Sequence, residues 1–370
     1  MQRYDVMNGA GDRDCIVVGG GLLGMLTAYF LNREGLSVTL LEQGSVCRES
    51  SWAGGGILSP LVPWDYPDAV AELVQWSQRH YPALVAELRE QSGIDAEWQQ
   101  SGLLMTNTFI ESRIRDWQAR YPCRIEQVEP GQMHELEPGL AQSTELALLL
   151  PEVAQVRNPR LCQSLAASLR ARGVVIHEQV RVAGLRIVAN AISGIVTGQG
   201  EFLSDRVVVA AGAWSAAVLG DLVPGLPVSP VRGQMIQYAA SPGLLRHIVL
   251  DKGRYLIPRR DGLILAGSTL EYTGFEKQTT REARDSLAGF ASRLLPALND
   301  CEIVNHWAGL RPGKTDGIPI VGEHCEIKGL YLNTGHFRNG VVLAPASAQL
   351  LLDIMMGRAS FTEPDAYRLQ

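Results

Sequence analysis

Two arginines and a tyrosine have side chains that could hold a small anion. The planar fork of a guanidinium meets a carboxylate through two parallel hydrogen bonds. Arg311 stands in Gly309-Leu310-Arg311-Pro312, which reads as a stiff turn able to keep that fork still. Its other reading is a surface arginine in an exposed salt bridge, worth little. Tyr255, in Tyr255-Leu256-Ile257-Pro258-Arg259, offers a phenolic O–H to the same anion. Its other reading is an aromatic packed on a half-buried strand. Arg338, in Gly335-His336-Phe337-Arg338-Asn339-Gly340, either places charge beside an anion or pairs with an acid. His336 is a candidate base, although the default for a histidine in a glycine turn is structural. Trp52, Trp214 and Trp307 have packing as their default, and Arg254, Arg259 and Arg260 read as a solvated strand end.

A second group of residues suits phosphate. Gly19-x-Gly21-x-x-Gly24 follows an apolar run and opens a helical one. The first glycine permits a tight turn, the second lets backbone approach a pyrophosphate, and the third lets helix and strand pack closely. The helix start offers free N–H groups and the positive end of its dipole. Glu42 ends the next apolar run, where a carboxylate accepts hydrogen bonds from ribose hydroxyls. An acid there disfavours a 2′-phosphate and so argues against NADP, but it does not separate NAD from FAD.

These groups need particular elements behind them. Asp14 to Val18 predicts a buried strand, Leu22 to Arg33 a helix stopping near Gly35, and Ser37 to Leu41 a second strand, together a β–α–β unit. Residues 43–66 predict a long loop, and Asp68 to Gln91 a helix kinked at Pro82. Asn158-Pro159 predicts a helix start with Asn158 as N-cap. Strands follow at Val174 to His177 and Arg206 to Ala210, the latter running into the glycine turn at Gly212. Residues 228–270 alternate as strands do, Thr279 to Leu295 predicts a helix, and the last third returns to a strand, a glycine turn and a helix from about Val341. The chain therefore leaves a nucleotide-binding domain and comes back to it. A helix start after Gly340 would stabilise negative charge on a reduced flavin ring; ordinary turn chemistry explains Gly335 and Gly340 equally well.

The bulk numbers bound the class. A chain of 370 residues suits two domains, and a formal charge of −6 argues against nucleic acid or an anionic membrane as partner. Val341 to Met356 is interrupted by polar residues and too short to span a bilayer. Residues 1–13 read as a frayed tail without the apolar stretch of a signal peptide. The six cysteines lack C-x-x-C spacing, which argues against a metal site; they read as free thiols in a reducing cytoplasm.

Six segments together resemble the D-amino-acid oxidase and glycine oxidase group of FAD enzymes. They are Ile16 to Gly21, Ser51 to Leu58, Val209 to Ser215, Tyr255 to Arg259, Trp307 to Pro312 and Gly335 to Gly340. The resemblance covers nearly the whole chain, and the last two segments are the specific ones. It implies an α/β fold: a glutathione-reductase-type FAD-binding domain (a Rossmann-like β–α–β core) and a mixed, mainly antiparallel substrate domain. The expected division is 1–85, 146–225 and 300–370 for FAD, with 86–145 and 226–299 for substrate.

The resemblance also implies roles. Tyr255 and Arg311 would hold the substrate carboxylate, with Arg338 beside substrate and flavin. Gly19, Gly21, Gly24, Glu42, Ser51, Gly212, Gly335, His336, Asn339 and Gly340 would hold the cofactor. The loop with Ile57, Leu58 and Ser59 would face the flavin ring. Ile57, Gly253 and Leu270 stand where the family pattern has methionine, histidine and methionine, which leaves the pocket's substrate range open. FAD would be bound without a covalent link, since neither Cys301 nor Cys325 falls in a matched segment. The implied reaction is oxidative deamination of glycine, other small amines or D-amino acids, with oxygen as acceptor. Glyoxylate, ammonia and hydrogen peroxide would form, and the imine would supply the thiazole of thiamine. No catalytic base is assigned, and a cytoplasmic homotetramer is expected. The competing readings are a D-amino-acid or proline dehydrogenase with another acceptor, a tRNA-modifying oxidase, and a subunit that binds FAD only structurally.

Overall fold

The computed structural model describes residues 14–106, 109–142 and 145–369. The expected tail at 1–13 lies outside the described residues. Three short runs start the architecture: strand Cys15–Val18, helix Leu22–Arg33 and strand Val38–Leu41. The two strands pair in parallel, Cys15 opposite Val38 through Val18 opposite Leu41. The helix ends because Gly35 turns left-handed at φ 90°, which lets Leu36 N–H donate to Leu31 O.

The first sheet has six strands in the order Ile320–Glu323, Leu330–Thr334, Val207–Val209, Cys15–Val18, Val38–Leu41, Val175–His177. All neighbours are parallel except the antiparallel edge strand Ile320–Glu323. Side chains alternate between the faces of a strand, and both faces are buried here. Cys15 and Val17 join Met25, Tyr29, Leu73, Leu165 and Leu350, from helices Leu22–Arg33, Asp68–Ser92, Asn158–Ala171 and Gly340–Met355. Ile16 and Val18 join Ile192 and Ile195 of a three-stranded antiparallel sheet. Each such fully buried aliphatic side chain contributes about 1.5–3 kcal/mol.

The second sheet has eight strands in the order Glu302–Gly313, Ser229–Ala239, Leu263–Gly267, Arg254–Pro258, Ile248–Asp251, Leu103–Met105, Ala147–Leu150, Glu126–Val128. Only Ile248–Asp251 and Leu103–Met105 pair in parallel. Ile236, Tyr238, Leu256 and Ala266 pack on helix Arg281–Leu294 through Leu287 and Phe290. Met235, Tyr255, Ile257 and Leu265 face the other way.

Strands Ala147–Leu150 and Glu302–Gly313 pair within the second sheet. Two expectations need correction. Arg311 lies in the long strand Glu302–Gly313, not in a turn; Pro312 is accommodated because it is the strand's penultimate residue. The N-cap before Pro159 is Arg157, and Asn158 instead donates to Ser51 O at 2.8 Å. No helix among the described residues is long and apolar enough to cross a membrane.

Candidate functional site

Two adjoining cavities lie between the sheets, and Ser50 lines both. The first holds about 970 Å³ of space and opens to solvent. Gly19, Gly21, Glu42, Ser51, Gly212 and His336 line it, with Asn333. The glycine turn is tight. A Cβ on Gly19 would stand 2.4 Å from Ala210 O, and one on Gly24 only 1.9 Å from Gly19 O. One on Gly21 would meet only Ser51 Oγ, at 3.2 Å, so its backbone is open to a ligand. Ser51 Oγ accepts from Leu22 N–H at 2.8 Å, taking one N–H of the helix start. The remaining first-turn N–H groups have no partner within the helix.

Glu42 accepts from Gly20 N–H at 2.7 Å and Gly44 N–H at 2.8 Å. A carboxylate has about four acceptor positions, so ribose hydroxyls can still bind. Asn333 Oδ1 is buried without a partner. The close glycine packing, the N–H groups left at the helix start and the orphaned acceptor fit a dinucleotide such as FAD.

The second cavity also opens to solvent and holds about 670 Å³ of space. Tyr255, Arg311, Arg338 and Ile57 line it together, with Ser59, Met235, Ser268 and Asn339. Arg311 donates to Ser268 Oγ at 2.8 Å and Thr269 O at 3.2 Å, both neutral. Burial holds its pKa below the ordinary arginine range; Tyr255 opposes this and Arg338 adds to it. The carboxylate nearest in charge, Glu271, is already bonded to Arg232 and Gln234. Arg338 reaches only Gly253 O, at 3.4 Å. Among its described lining residues the cavity holds no Asp, Glu, His or Lys. It is a small chamber with two guanidiniums and no anion, suited to receive a carboxylate.

The remaining expected positions fall in different places. Asn339 is the N-cap of helix Gly340–Met355, and with Val341 it puts that helix start at the second cavity. Gly335 and Gly340 line neither cavity; Gly335 makes a turn at φ 80°. His336 is fully buried with Nε2 on Ser347 Oγ at 2.9 Å, and burial pushes its pKa down to about 3. It is neutral and occupied. Gly24 packs helix on strand and does not line the cleft. Leu58 is buried behind the wall that Ile57 and Ser59 form. Gly253 makes a turn at φ 79° and touches the site only through its carbonyl. Leu270 is 43% exposed and does not line the second cavity.

Other site residues were missed. Arg259 is buried, not a solvated strand end. It donates to Gln155 Oε1 at 2.6 Å, Val156 O at 3.0 Å and Gly55 O at 2.8 Å, tying the second sheet to the Gly54–Gly56 loop. Burial lowers its pKa to about 10. Strand glycines line the cavity: a Cβ on Gly233 would stand 2.2 Å from Arg311 Nη1, and one on Gly309 2.5 Å from Ala53 Cβ. Glycines inside strand patterns were the available signal. The expectation of six free thiols is overturned: Cys47 and Cys162 form a disulfide, Cα atoms 5.9 Å apart. Its partners are 115 residues apart, and helix Asn158–Ala171 meets the loop beside Gly20 only in the folded chain.

A family model described as DAO, FAD dependent oxidoreductase, matches residues 14–354. The chain is 47% identical over 353 residues to the glycine oxidase of Pseudomonas aeruginosa, covering 95% of this chain and 97% of that one. It is 32% identical over 361 residues to the bifunctional protein ThiO/ThiG of Trichormus variabilis, covering 94% of this chain and 53% of that one. The crystal structure of glycine oxidase from Bacillus cereus superposes with a TM-score of 0.89 at 32% identity, covering 97% of this chain and 99% of that one.

Proposed function

The chain belongs to the FAD-dependent oxidoreductase family, and on that footing we propose that it oxidises glycine to its imine with oxygen as acceptor. Hydrogen peroxide forms in that step, and water then converts the imine to glyoxylate and ammonia. The observation that carries this reading is the acid-free second cavity, with Arg311, Arg338 and Tyr255 on its wall. The likeness to glycine oxidases over nearly whole chains supports it.

Arg311 and Tyr255 bind the substrate carboxylate, and Arg338 adds positive charge beside it. The chemistry FAD supplies when bound is acceptance of a hydride from the substrate α-carbon. The protein's part is orientation, which contributes much of the rate in such a transfer. Ile57 and Met235 keep water from the α-carbon. The start of helix Gly340–Met355 borders the cavity, and the positive end of its dipole stabilises negative charge there. No side chain is assigned as base, so the amine reacts in its neutral form. A methyl group changes discrimination by only about 1–3 kcal/mol, so sarcosine and D-alanine react as well.

The likeness to ThiO/ThiG supports a role in supplying the glycine imine for the thiazole of thiamine. FAD is held without a covalent link, and the enzyme works as a cytoplasmic homotetramer. The decisive experiment offers glycine, sarcosine, D-alanine and D-proline to the purified holoenzyme in air. Peroxide from glycine at an efficiency at or above the others supports the proposal. Flavin bleaching without peroxide would replace it with a dehydrogenase.

A further inference from the structure

Arg311 holds its fork by reaching across a strand that is not its own. Its backbone lies in Glu302–Gly313, opposite Val231 of Ser229–Ala239. Its two acceptors, Ser268 Oγ and Thr269 O, belong to the segment on the far side of Ser229–Ala239. Adjacent strands lie about 4.8 Å apart, so the side chain must span the whole width of the middle strand. It does so over Gly233. A Cβ there would stand 2.2 Å from both Nη1 and Nη2.

The residues flanking Gly233 point to the opposite face, as strand alternation requires. There Arg232 Nε donates to Glu271 at 2.8 Å, and Gln234 Nε2 donates to it at 2.9 Å. Arg232 and Glu271 also exchange both backbone hydrogen bonds, at 2.9 and 3.0 Å. Thr269 Oγ1 accepts from Gln234 N–H at 2.8 Å. Both sides of Arg311 are thus clamped to one tripeptide. Arg232 is buried, and burial opposes the charge of Glu271; the hydrogen bonds from Thr269, Arg232 and Gln234 still hold its carboxyl below the usual range.

We propose that Gly233 and Glu271 are positioning residues for Arg311: Gly233 leaves the channel the guanidinium crosses, and Glu271, gripped by Arg232 and Gln234, fixes the segment that carries its acceptors. The inference rests on the carboxylate-binding reading of the site, and its test separates the two. Crystal structures of the Gly233→Ala and Glu271→Gln holoenzymes are compared with wild type, and acetate is titrated into each while flavin absorbance is followed. In Gly233→Ala the guanidinium leaves Ser268 Oγ. Acetate binding weakens by about tenfold or more, the scale of one lost charge-assisted hydrogen bond. The KM for glycine rises in step while kcat falls less, which a merely loosened fold would not produce. Glu271→Gln shifts residues 268–271 and weakens acetate in the same direction, and Glu271→Asp restores part of it. Arg311 keeping both hydrogen bonds in Gly233→Ala would overturn the proposal, as would unchanged acetate affinity in a protein of normal flavin content. If wild type ignores acetate and glycine alike, the functional reading falls, while the structures still decide whether Gly233 sets the pose. If Gly233→Ala does not fold, Glu271→Gln decides alone: an unmoved 268–271 segment or unchanged acetate affinity overturns it.

Discussion

Arg311 donates to the hydroxyl of Ser268 at 2.8 Å, so a half-buried guanidinium at the cavity wall rests on a neutral oxygen. Such a group leaves much of its positive charge for a ligand. Replacing Arg311 with Met removes two charge-assisted bonds to the substrate carboxylate, each worth about 1.5–3 kcal/mol. The expected loss in kcat/KM is therefore about 10²-fold or more, carried mainly by KM. Arg311→Lys recovers only part, because a point charge lacks the fork. Steady-state peroxide assays check this; a loss below tenfold would remove Arg311 from carboxylate binding.

The glycine turn makes a sharper demand. A Cβ on Gly24 would lie 1.9 Å from Gly19 O, a backbone atom that cannot swing aside. Gly24→Ala must push the helix off the strand and misplace the N–H groups offered to phosphate. The variant is expected to purify colourless, or to lose its flavin on gel filtration. A yellow protein with wild-type flavin content would show that the third glycine does not set that packing.

The disulfide gives a prediction by counting. Four cysteines are free: Cys15, Cys123, Cys301 and Cys325. Protein unfolded without reductant should titrate four thiols, and six after reduction. Finding six from the start would restore the reading of free thiols in a reducing cytoplasm. Finding four bears on the compartment, because disulfides are rare where thiols are kept reduced.

The second cavity also predicts where the pH dependence comes from. Its described lining residues include no Asp, Glu, His or Lys, but do include Tyr255. If the amine must lose its proton before reacting, the rising limb of kcat/KM with pH belongs to the substrate. Exchanging glycine for an amine of different basicity should move that limb. A limb that stays fixed across substrates would assign it to the protein instead.

How much was legible depended on whether the signal was local. The turn at Gly19 to Gly24 was readable because strand, glycines, helix and acid follow one another within 30 residues. The return of the chain to the first sheet was readable from apolar runs beside glycine turns. The environment of Arg259 was not, because its three acceptors lie about 100 and 200 residues away and only the folded chain assembles them. The role of Gly233 carries no local signal of its own, because only the fold brings the Arg311 side chain across it. Leu270 was placed in the pocket by resemblance, yet residues 269–271 run on against 232–234 and leave it exposed.

His336 yields a prediction whose sign can be worked out. Burial lowers its pKa to about 3 in the folded chain, against about 6.5 when unfolded. Between those values the unfolded chain binds a proton that the folded chain refuses. The associated stability is fully present above pH of about 6.5 and is lost as pH falls toward about 3. Carboxylates bonded in the fold, such as Glu271 and Asp261, add their own loss at the acid end of that window. The two contributions separate by position: histidine acts first, from about pH 6.5 downward, and the carboxylates follow below about pH 4. His336→Asn keeps a polar group near Ser347 but cannot take up the proton. Its Tm should therefore be lower than wild type at pH 7, yet change less between pH 7 and pH 5. Thermal melts of the two proteins across that interval measure the difference directly. Equal slopes would mean that the ring takes up its proton in the folded enzyme as it does in the unfolded chain.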